Sequence, residues 1–462
     1  MSYRLLSGLM LSAIMIICAF QASVVAQQNS AIATMIQDGP QGTVVEFAFS
    51  DPSFDLVQTA EGEALVPSVQ GDHRLLKAGH PDLSSVSATL LIDPQSATDV
   101  EVVDVIFVEY TDIDVAPSQG NLYRNVDPSE VERVPAAMYA DDAFFPANLA
   151  VLAQPFVQRG MRGQTVRVFP FQYNPVQRVL RVLQSVTVRV FNTDGPSANQ
   201  LASGAVARNT AEMQDALQRR FLNAGTSDER YDYIEEFGKV IVITDPMYDD
   251  VLAPLVQWKI EKGFETEVVY AADLGGSVDQ IKAYLADQYM NNGLTHVIIA
   301  GDEDQVPSEL VVNGGGSGFC DPCYAFVEGN DHYPEFFVGR LLTHNVTEMA
   351  SVVSRTLEYE KNPYLGEDWF TTAVGIGSNE GEGIGDDGQA DWQQMNGIKD
   401  QLLAYSFTEV WELYDGDQSS ESVSTDGTSD VAGSPNANDM SELVNKGGSF
   451  YNYCGHGYHS GI

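Results

Sequence analysis

Three short stretches carry side chains suited to chemistry, and each follows an apolar run: "AGDEDQ" (300–305), "GSNEGEG" (377–383) and "CGHGYH" (454–459). In the last, His456 stands between two glycines, which let the backbone turn sharply and leave the ring accessible. A general base needs that access and a pKa near neutrality. The same tripeptide also suits a surface histidine in a glycine turn. The acidic loop "GSNEGEGIGDDGQADW" (377–392) could orient that histidine with a carboxylate, bind a cationic substrate, hold calcium, or simply stay solvated. It does not read as a phosphate cradle, because its acids would repel the phosphate and no lysine follows. Asp302, in "GDEDQVP", and Asp331 and Glu335, in "EGNDHYPE", are hard oxygen donors that suit Ca²⁺, although their spacing is not that of an EF-hand. His332 reads as a turn residue. Cys454, two positions before His456, shares its strand face; a thiol at the end of a buried strand reads as core rather than nucleophile. Cys320 and Cys323 form a C-x-x-C that could be a small disulfide or half of a metal site, and nothing nearby completes a zinc set.

These residues need elements to position them. From Lys239 onward, short β-branched runs ("KVIVIT", "TEVVY", "HVIIAGD", "EFFVGRL", "TTAVGIGS", "TEVWELY", "GSFYNYCGH") alternate with helical segments. Ser277 with Gln280, and Asn345 with Glu348, mark helix starts. The alternation predicts an α/β fold, a mostly parallel sheet with helices on both faces, whose chemistry gathers at the carboxyl ends of strands. All three acidic or histidine stretches stand at such ends. Before residue 192 the chain reads as β, in "GTVVEFAFS", "VEVVDVIFVEY", "GQTVRVFPFQYN" and "RVLRVLQSVTVRVF", with "YNPVQ" turning between the last two. "NTDGPSANQLASG" (192–204) reads as a linker, 208–223 as a helix, and "AGTSDERYDY" (224–233) as an exposed junction.

The bulk numbers set limits. A chain of 462 residues predicts two or three domains, and 44% hydrophobic content suits packed cores. The balance of 24 Lys+Arg against 65 Asp+Glu gives a formal charge of −41, which argues against nucleic acid or an anionic membrane as partner. Residues 1–26 read as a secretory signal peptide: Arg4, an apolar run from Leu5 to Phe20, and Val24 and Ala26 before a cut at Gln27. No later segment reads as a membrane span. The expected location is therefore extracellular, and removal of the leader leaves Cys320, Cys323 and Cys454.

The combination resembles the gingipain family of secreted cysteine endopeptidases. The resemblance runs in order through "KVIVITDPMYDDVLAPLVQWKIEKGFETEVV", "THVIIAGDEDQVP", "SGFCDPCYAFVEGNDHYPEFFVGRL", "GSNEGEGIGDDGQADWQQMN" and "FYNYCGHG", and reaches back to "QRGMRGQTVRVFPFQYNP". It implies a caspase-like catalytic domain over 231–462, incomplete at its C-terminus, behind a β-rich prodomain with a linker over 27–230. It also implies roles. His456 would be the catalytic histidine, Glu380 the carboxylate supporting it, and Asp391 the carboxylate that receives a P1 arginine. Asp302, Asp331 and Glu335, with the carbonyls of Glu328 and Tyr333, would hold a structural Ca²⁺, and Asp321 matches another acid of that loop. The family's nucleophilic cysteine follows the histidine by a few dozen residues and is expected beyond residue 462, so the chain as given is expected to be inactive. After "GHG" the family often has Ser, Thr and Trp where this chain has "YHSGI". The partners implied are protein or peptide substrates and the chain's own prodomain. Arg230 is the expected processing site. The competing expectation is a calcium-stabilised, non-catalytic binding or sorting protein of the same fold.

Overall fold

The computed structural model describes residues 32–122, 126–201, 210–224, 237–313, 316–366, 368–378, 380, 389–414 and 435–455. His456, Arg230 and the signal segment lie outside the described residues.

Two antiparallel sheets build the N-terminal region. In one, Val179–Thr193 pairs with Thr43–Ala48 and Phe171–Asn174 on one side and with Ala97–Tyr110 on the other. In the second, Met161–Val168 pairs with Ser84–Leu91, Ala150–Leu152 and Phe156–Gln158. Alternation dictates the inner faces: Val186, Val188 and Val190 point inward with Val45 and Phe47, against Val86, Leu90, Val166 and Val168. The run read as "GQTVRVFPFQYN" is two strands, broken at Phe169–Pro170, where the chain passes from one sheet to the other. The first sheet's long strand Ala97–Tyr110 leaves Val103, Ile106 and Tyr110 exposed.

Part of the expected linker is fixed in place. Buried Arg162 donates to the carbonyls of Asp93, Ser96, Ala198 and Asn199, which ties 197–199 to the second sheet. Helix Ala211–Arg220 follows, and Leu217 and Phe221 pack on Phe156.

After Lys239 the parallel strands divide between two sheets. The first has the order Glu265–Tyr270, Lys239–Thr244, Leu294–Ala300, Phe337–Leu341. Its strand Lys239–Thr244 is buried on both faces. Val240 and Val242 meet Leu252 and Leu255 of helix Asp249–Glu261 and Met349 and Val353 of helix Val346–Lys361. Ile241 and Ile243 meet Ile281 and Leu285 of helix Val278–Asn292. Ser277 and Asn345 accept the first amides of their helices as expected. The second sheet has the order Glu409–Tyr414, Thr372–Gly377, Phe450–Cys454, with helix Asp391–Tyr405 on one face and Leu443 of helix Ala437–Lys446 on the other.

An antiparallel hairpin, Glu309–Asn313 with Gly316–Cys320, stands between the first sheet's third and fourth strands. Cys320 and Cys323 form a disulfide at its base. No described helix is long and apolar enough to cross a membrane.

Candidate active site

The second parallel sheet carries the cluster at its carboxyl edge. Its central strand ends at Gly377, and helix Asp391–Tyr405 begins directly against that end. A Cβ on Gly377 would lie 2.7 Å from the Trp392 Cα, so only glycine permits this approach. Backbone bonds close the junction: Trp392 N–H donates to the Ser378 carbonyl (3.1 Å), Asp391 N–H to the Glu380 carbonyl (3.0 Å), and Ser378 N–H to the Cys454 carbonyl (3.2 Å). The Gln393 side chain accepts the Ala390 N–H (2.8 Å) and secures the helix start.

Asp391 therefore sits on the first turn of its helix, fully buried, where the helix dipole favours a carboxylate. The Ser378 hydroxyl donates to Oδ2 at 2.6 Å, and the Cys454 thiol donates to Oδ1 at 3.1 Å. Cys454 also reaches Gln394 Oε1 at 3.8 Å. The hydroxyl and the thiol are neutral donors: they fix the carboxylate's orientation without cancelling its charge. Ser378 Oγ in turn accepts the Glu380 N–H (3.2 Å), so one hydroxyl links the backbone of Glu380 to the carboxylate of Asp391.

The structure thus brings Asp391, Glu380, Ser378 and Cys454 together from three elements. The reading of Cys454 as a core thiol is corrected: among the described residues the thiol is half-exposed and donates to Asp391. Ser378 and Gln394 were missed as site residues. The signal for Ser378 was its place directly after a strand; Gln394 gave none beyond the helical spacing from Asp391.

The expected calcium set is split. Strands Leu294–Ala300 and Phe337–Leu341 run parallel, with His296 opposite Phe337 and Ala300 opposite Leu341. Asp302 follows the first strand's end and Glu335 precedes the second's start, so they lie at opposite edges of a sheet whose strand spans roughly 13 Å at about 3.3 Å per residue. Asp302 instead engages the His344 ring, which raises that histidine's pKa and lowers that of Asp302. Asp302 is accordingly removed from the set. Asp321 is committed as well: Arg340 grips it bidentately at 2.8 and 2.7 Å and Ser308 donates to it at 2.8 Å. The ring of His332 packs edge-on against Phe326.

Glu328, Asp331, Tyr333 and Glu335 stay in one loop. Glu335 is fully buried, its Oε2 accepts the Val327 N–H (3.3 Å), and its Oε1 has no hydrogen-bond partner. Burial, with Asp331 and Glu328 nearby, pushes its pKa up to about 8. An orphaned carboxyl oxygen among further acids is the chemistry a hard divalent cation satisfies, so these four residues fit the group. Among the described residues, no three acid, histidine or cysteine side chains converge on one point in this conformation. The oxygens of Asp331 point elsewhere: Oδ2 accepts the Val157 N–H at 2.8 Å and Oδ1 the Tyr333 N–H at 3.1 Å.

The fold is thus an α/β domain with an acidic cluster at its strands' carboxyl edge, packed against an N-terminal β-sandwich. Residues 235–462 match Peptidase family C25, and residues 26–213 match Propeptide_C25. The chain belongs to the gingipain family of cysteine peptidases, with the family's propeptide. It is 32% identical over 421 residues to Gingipain R1 of Porphyromonas gingivalis, covering 90% of this chain and 40% of that protein. It is 24% identical over 331 residues to Lys-gingipain of the same organism, covering 68% of this chain and 19% of that protein. Among solved structures, the complex of Porphyromonas gingivalis RgpB pro- and mature domains matches at 30% identity and TM-score 0.40, over 42% of this chain and 98% of that one. The Arg-specific cysteine proteinase gingipain R matches at 28% identity and TM-score 0.42, over 49% of this chain and 48% of that one. The chain thus spans less than half the length of Gingipain R1.

Proposed function

We propose that the protein is the secreted zymogen of a cysteine endopeptidase that cleaves after arginine, with lysine accepted less well, and that region 27–230 keeps it latent until the chain is cut after Arg230. The observation that carries this reading is the buried Asp391 carboxylate at a strand's carboxyl end, oriented by neutral donors. A guanidinium that reaches this carboxylate finds two oxygens held in one plane, the geometry that favours arginine over lysine.

The nucleophile is a cysteine beyond Ile462. Support comes from the match of residues 235–462 to Peptidase family C25 and from Cys454, whose thiol donates to Asp391. The nucleophilic thiol gives its proton to His456 and attacks the peptide carbonyl carbon. Glu380 keeps the imidazole in the useful tautomer, and backbone N–H groups at the glycine turn stabilise the oxyanion. His456 then protonates the leaving amine, and water releases the acyl group from sulfur. Asp331, Glu335 and the carbonyls of Glu328 and Tyr333 would hold a structural Ca²⁺, which would neutralise buried charge there.

The test is hydrolysis by the mature, full-length protein of peptides that differ only at P1. Arginine substrates should be cut fastest, thiol alkylation should stop the reaction, and Asp391→Asn should lower kcat/KM for arginine about a hundredfold or more, as expected for losing a buried charged pair. Equal turnover of neutral P1 residues would refute the specificity. No hydrolysis by the mature protein would favour a non-catalytic binding role.

A further inference from the structure

The Cys320–Cys323 disulfide joins residues only three positions apart. A disulfide constrains the unfolded chain less as the loop it closes shrinks, so this bond is a weak staple. The surrounding backbone is fastened without it. Asp321, between the two cysteines, receives two bonds from Arg340 and one from the Ser308 hydroxyl at 2.8 Å. Arg340 also donates to the carbonyls of Gly301 and Val306, at 3.0 and 3.1 Å. The Tyr324 hydroxyl donates to the Pro307 carbonyl, and Tyr324 and Ala325 pack in one core with Val306 and Phe336. None of these contacts uses a sulfur atom, so they keep the two cysteines side by side whether or not the sulfurs are bonded. The pair is also unequal in access. Cys320 is half-exposed at the end of strand Gly316–Cys320, beside exposed Phe319, whereas Cys323 is buried.

We infer that this pair is a thiol–disulfide exchange site, opened by low-molecular-weight thiols and closed again by their disulfides. Exchange proceeds by attack of a thiolate on a disulfide sulfur that it can reach. That sulfur is Cys320 Sγ. A bond forms between the small thiol's sulfur and Cys320 Sγ as the protein's S–S bond breaks. Cys323 leaves with the electron pair and takes a proton from water. Held beside Cys320, it can attack Cys320 Sγ, expel the small thiol and close the pair. Alternatively, a second small thiolate attacks the sulfur of the first, releases both as a small disulfide, and leaves Cys320 to be protonated. Two small thiols are thereby oxidised to one disulfide, and the protein disulfide is reduced to a dithiol. The reverse sequence closes it. The bonds through Asp321 and Tyr324 hold in both states, so opening the pair does not cost the fold around it. The site lies at the base of the hairpin on the first parallel sheet, apart from the acidic cluster of the second.

The test is thiol alkylation of the intact chain in buffers of reduced and oxidised glutathione, without denaturant, read peptide by peptide by mass spectrometry. Cys320 and Cys323 should both become alkylated in the reduced buffer and be protected again in the oxidised one. Hydrogen–deuterium exchange over 301–308 and 321–325 should stay the same in both buffers. Cys323→Ser removes the thiol that recloses the pair, so Cys320 should retain a glutathione adduct in the oxidised buffer. In Cys320→Ser the adduct on Cys323 should form about tenfold more slowly or less, because that thiol is buried. Alkylation only in denaturant, or reduction that speeds exchange over 301–308 and 321–325 together, would make the pair a structural staple and overturn the inference; this measurement on the parent chain depends on neither variant. Equal adduct rates in the two variants would overturn the assignment of Cys320 as the attacked sulfur.

Discussion

At the scale of single residues, the most informative side chain is Ser378. Its hydroxyl holds Asp391 Oδ2 at 2.6 Å and accepts the Glu380 N–H, so it sits between the carboxylate proposed for substrate and the backbone of the residue proposed to steady the histidine. Cys454 secures the other oxygen. Hydrogen bonds to a charged group are worth about 1.5–3 kcal/mol. Ser378→Ala should therefore raise KM for arginine substrates about tenfold or more in the mature enzyme, with kcat changed little. Cys454→Ser retains a donor and should stay close to the parent, whereas Cys454→Val should resemble Ser378→Ala. Steady-state kinetics decides: a fall in kcat at constant KM would mean the pair serves the chemical step, and loss of all activity in Cys454→Ser would make that thiol the nucleophile. The acidic, glycine-rich loop after a strand marked the stretch that holds Asp391 and Glu380, while the two residues themselves were singled out only by the family resemblance. The role of Cys454 was not legible, because alternation places a residue on a face without saying whether a neighbour covers that face.

At the scale of elements, nearly every strand and helix after Lys239 announced itself by its apolar period and its caps. What the pattern could not carry was how the strands group. Parallel strands in two sheets and in one sheet share the same alternation of β and α, since the break between Phe337–Leu341 and Thr372–Gly377 is a matter of pairing across space. The same limit explains Asp302: "AGDEDQ" and "EGNDHYPE" are near in sequence but flank parallel strands at opposite ends. The hairpin after Asp302 was missed because "ELVVN" is short and followed by glycines. Arg340 anchors its base, bonding Asp321 bidentately and the carbonyls of Gly301 and Val306 at 3.0 and 3.1 Å. Breaking a buried pair by removing one partner costs on the order of 3 kcal/mol. Arg340→Met should lose about that much stability at pH 7, read as faster exchange over 301–321. The pH dependence has a definite sign. Burial raises the Asp321 pKa, but the bonds to Arg340 and Ser308 outweigh it and hold the carboxyl below its ordinary value. That stabilisation is present above the unfolded carboxyl pKa of about 3.9 and disappears as pH falls through the depressed folded value. The deficit of Arg340→Met should therefore shrink on acidification. A deficit that is constant with pH would assign Arg340 to packing and carbonyl capping alone.

At the scale of the whole molecule, the two regions are joined by a contact that no local pattern could predict, because its halves are Phe156 and Tyr333. Phe156 is buried between Phe221 at 6.0 Å and Tyr333 at 4.2 Å, and Val157 beside it is fully buried. Helix Ala211–Arg220 adds Arg220 over both aromatic rings. The polar bonds through Asp331 and Asn199 rim this apolar centre, the arrangement in which one aromatic anchor dominates an interface. A cut within 225–236 should consequently leave the two pieces associated, which is what a latent zymogen requires. Truncating a buried phenylalanine costs about 3–5 kcal/mol, or about two to three and a half powers of ten in affinity. Phe156→Ala should therefore release the N-terminal piece from the cut chain during size-exclusion chromatography in cation-free buffer, whereas the exposed-strand change Val103→Ala should not. Circular dichroism of the intact variant separates release from misfolding. Co-elution of the Phe156→Ala pieces at nanomolar concentration would show that the polar rim, rather than the aromatic anchor, holds the prodomain in place.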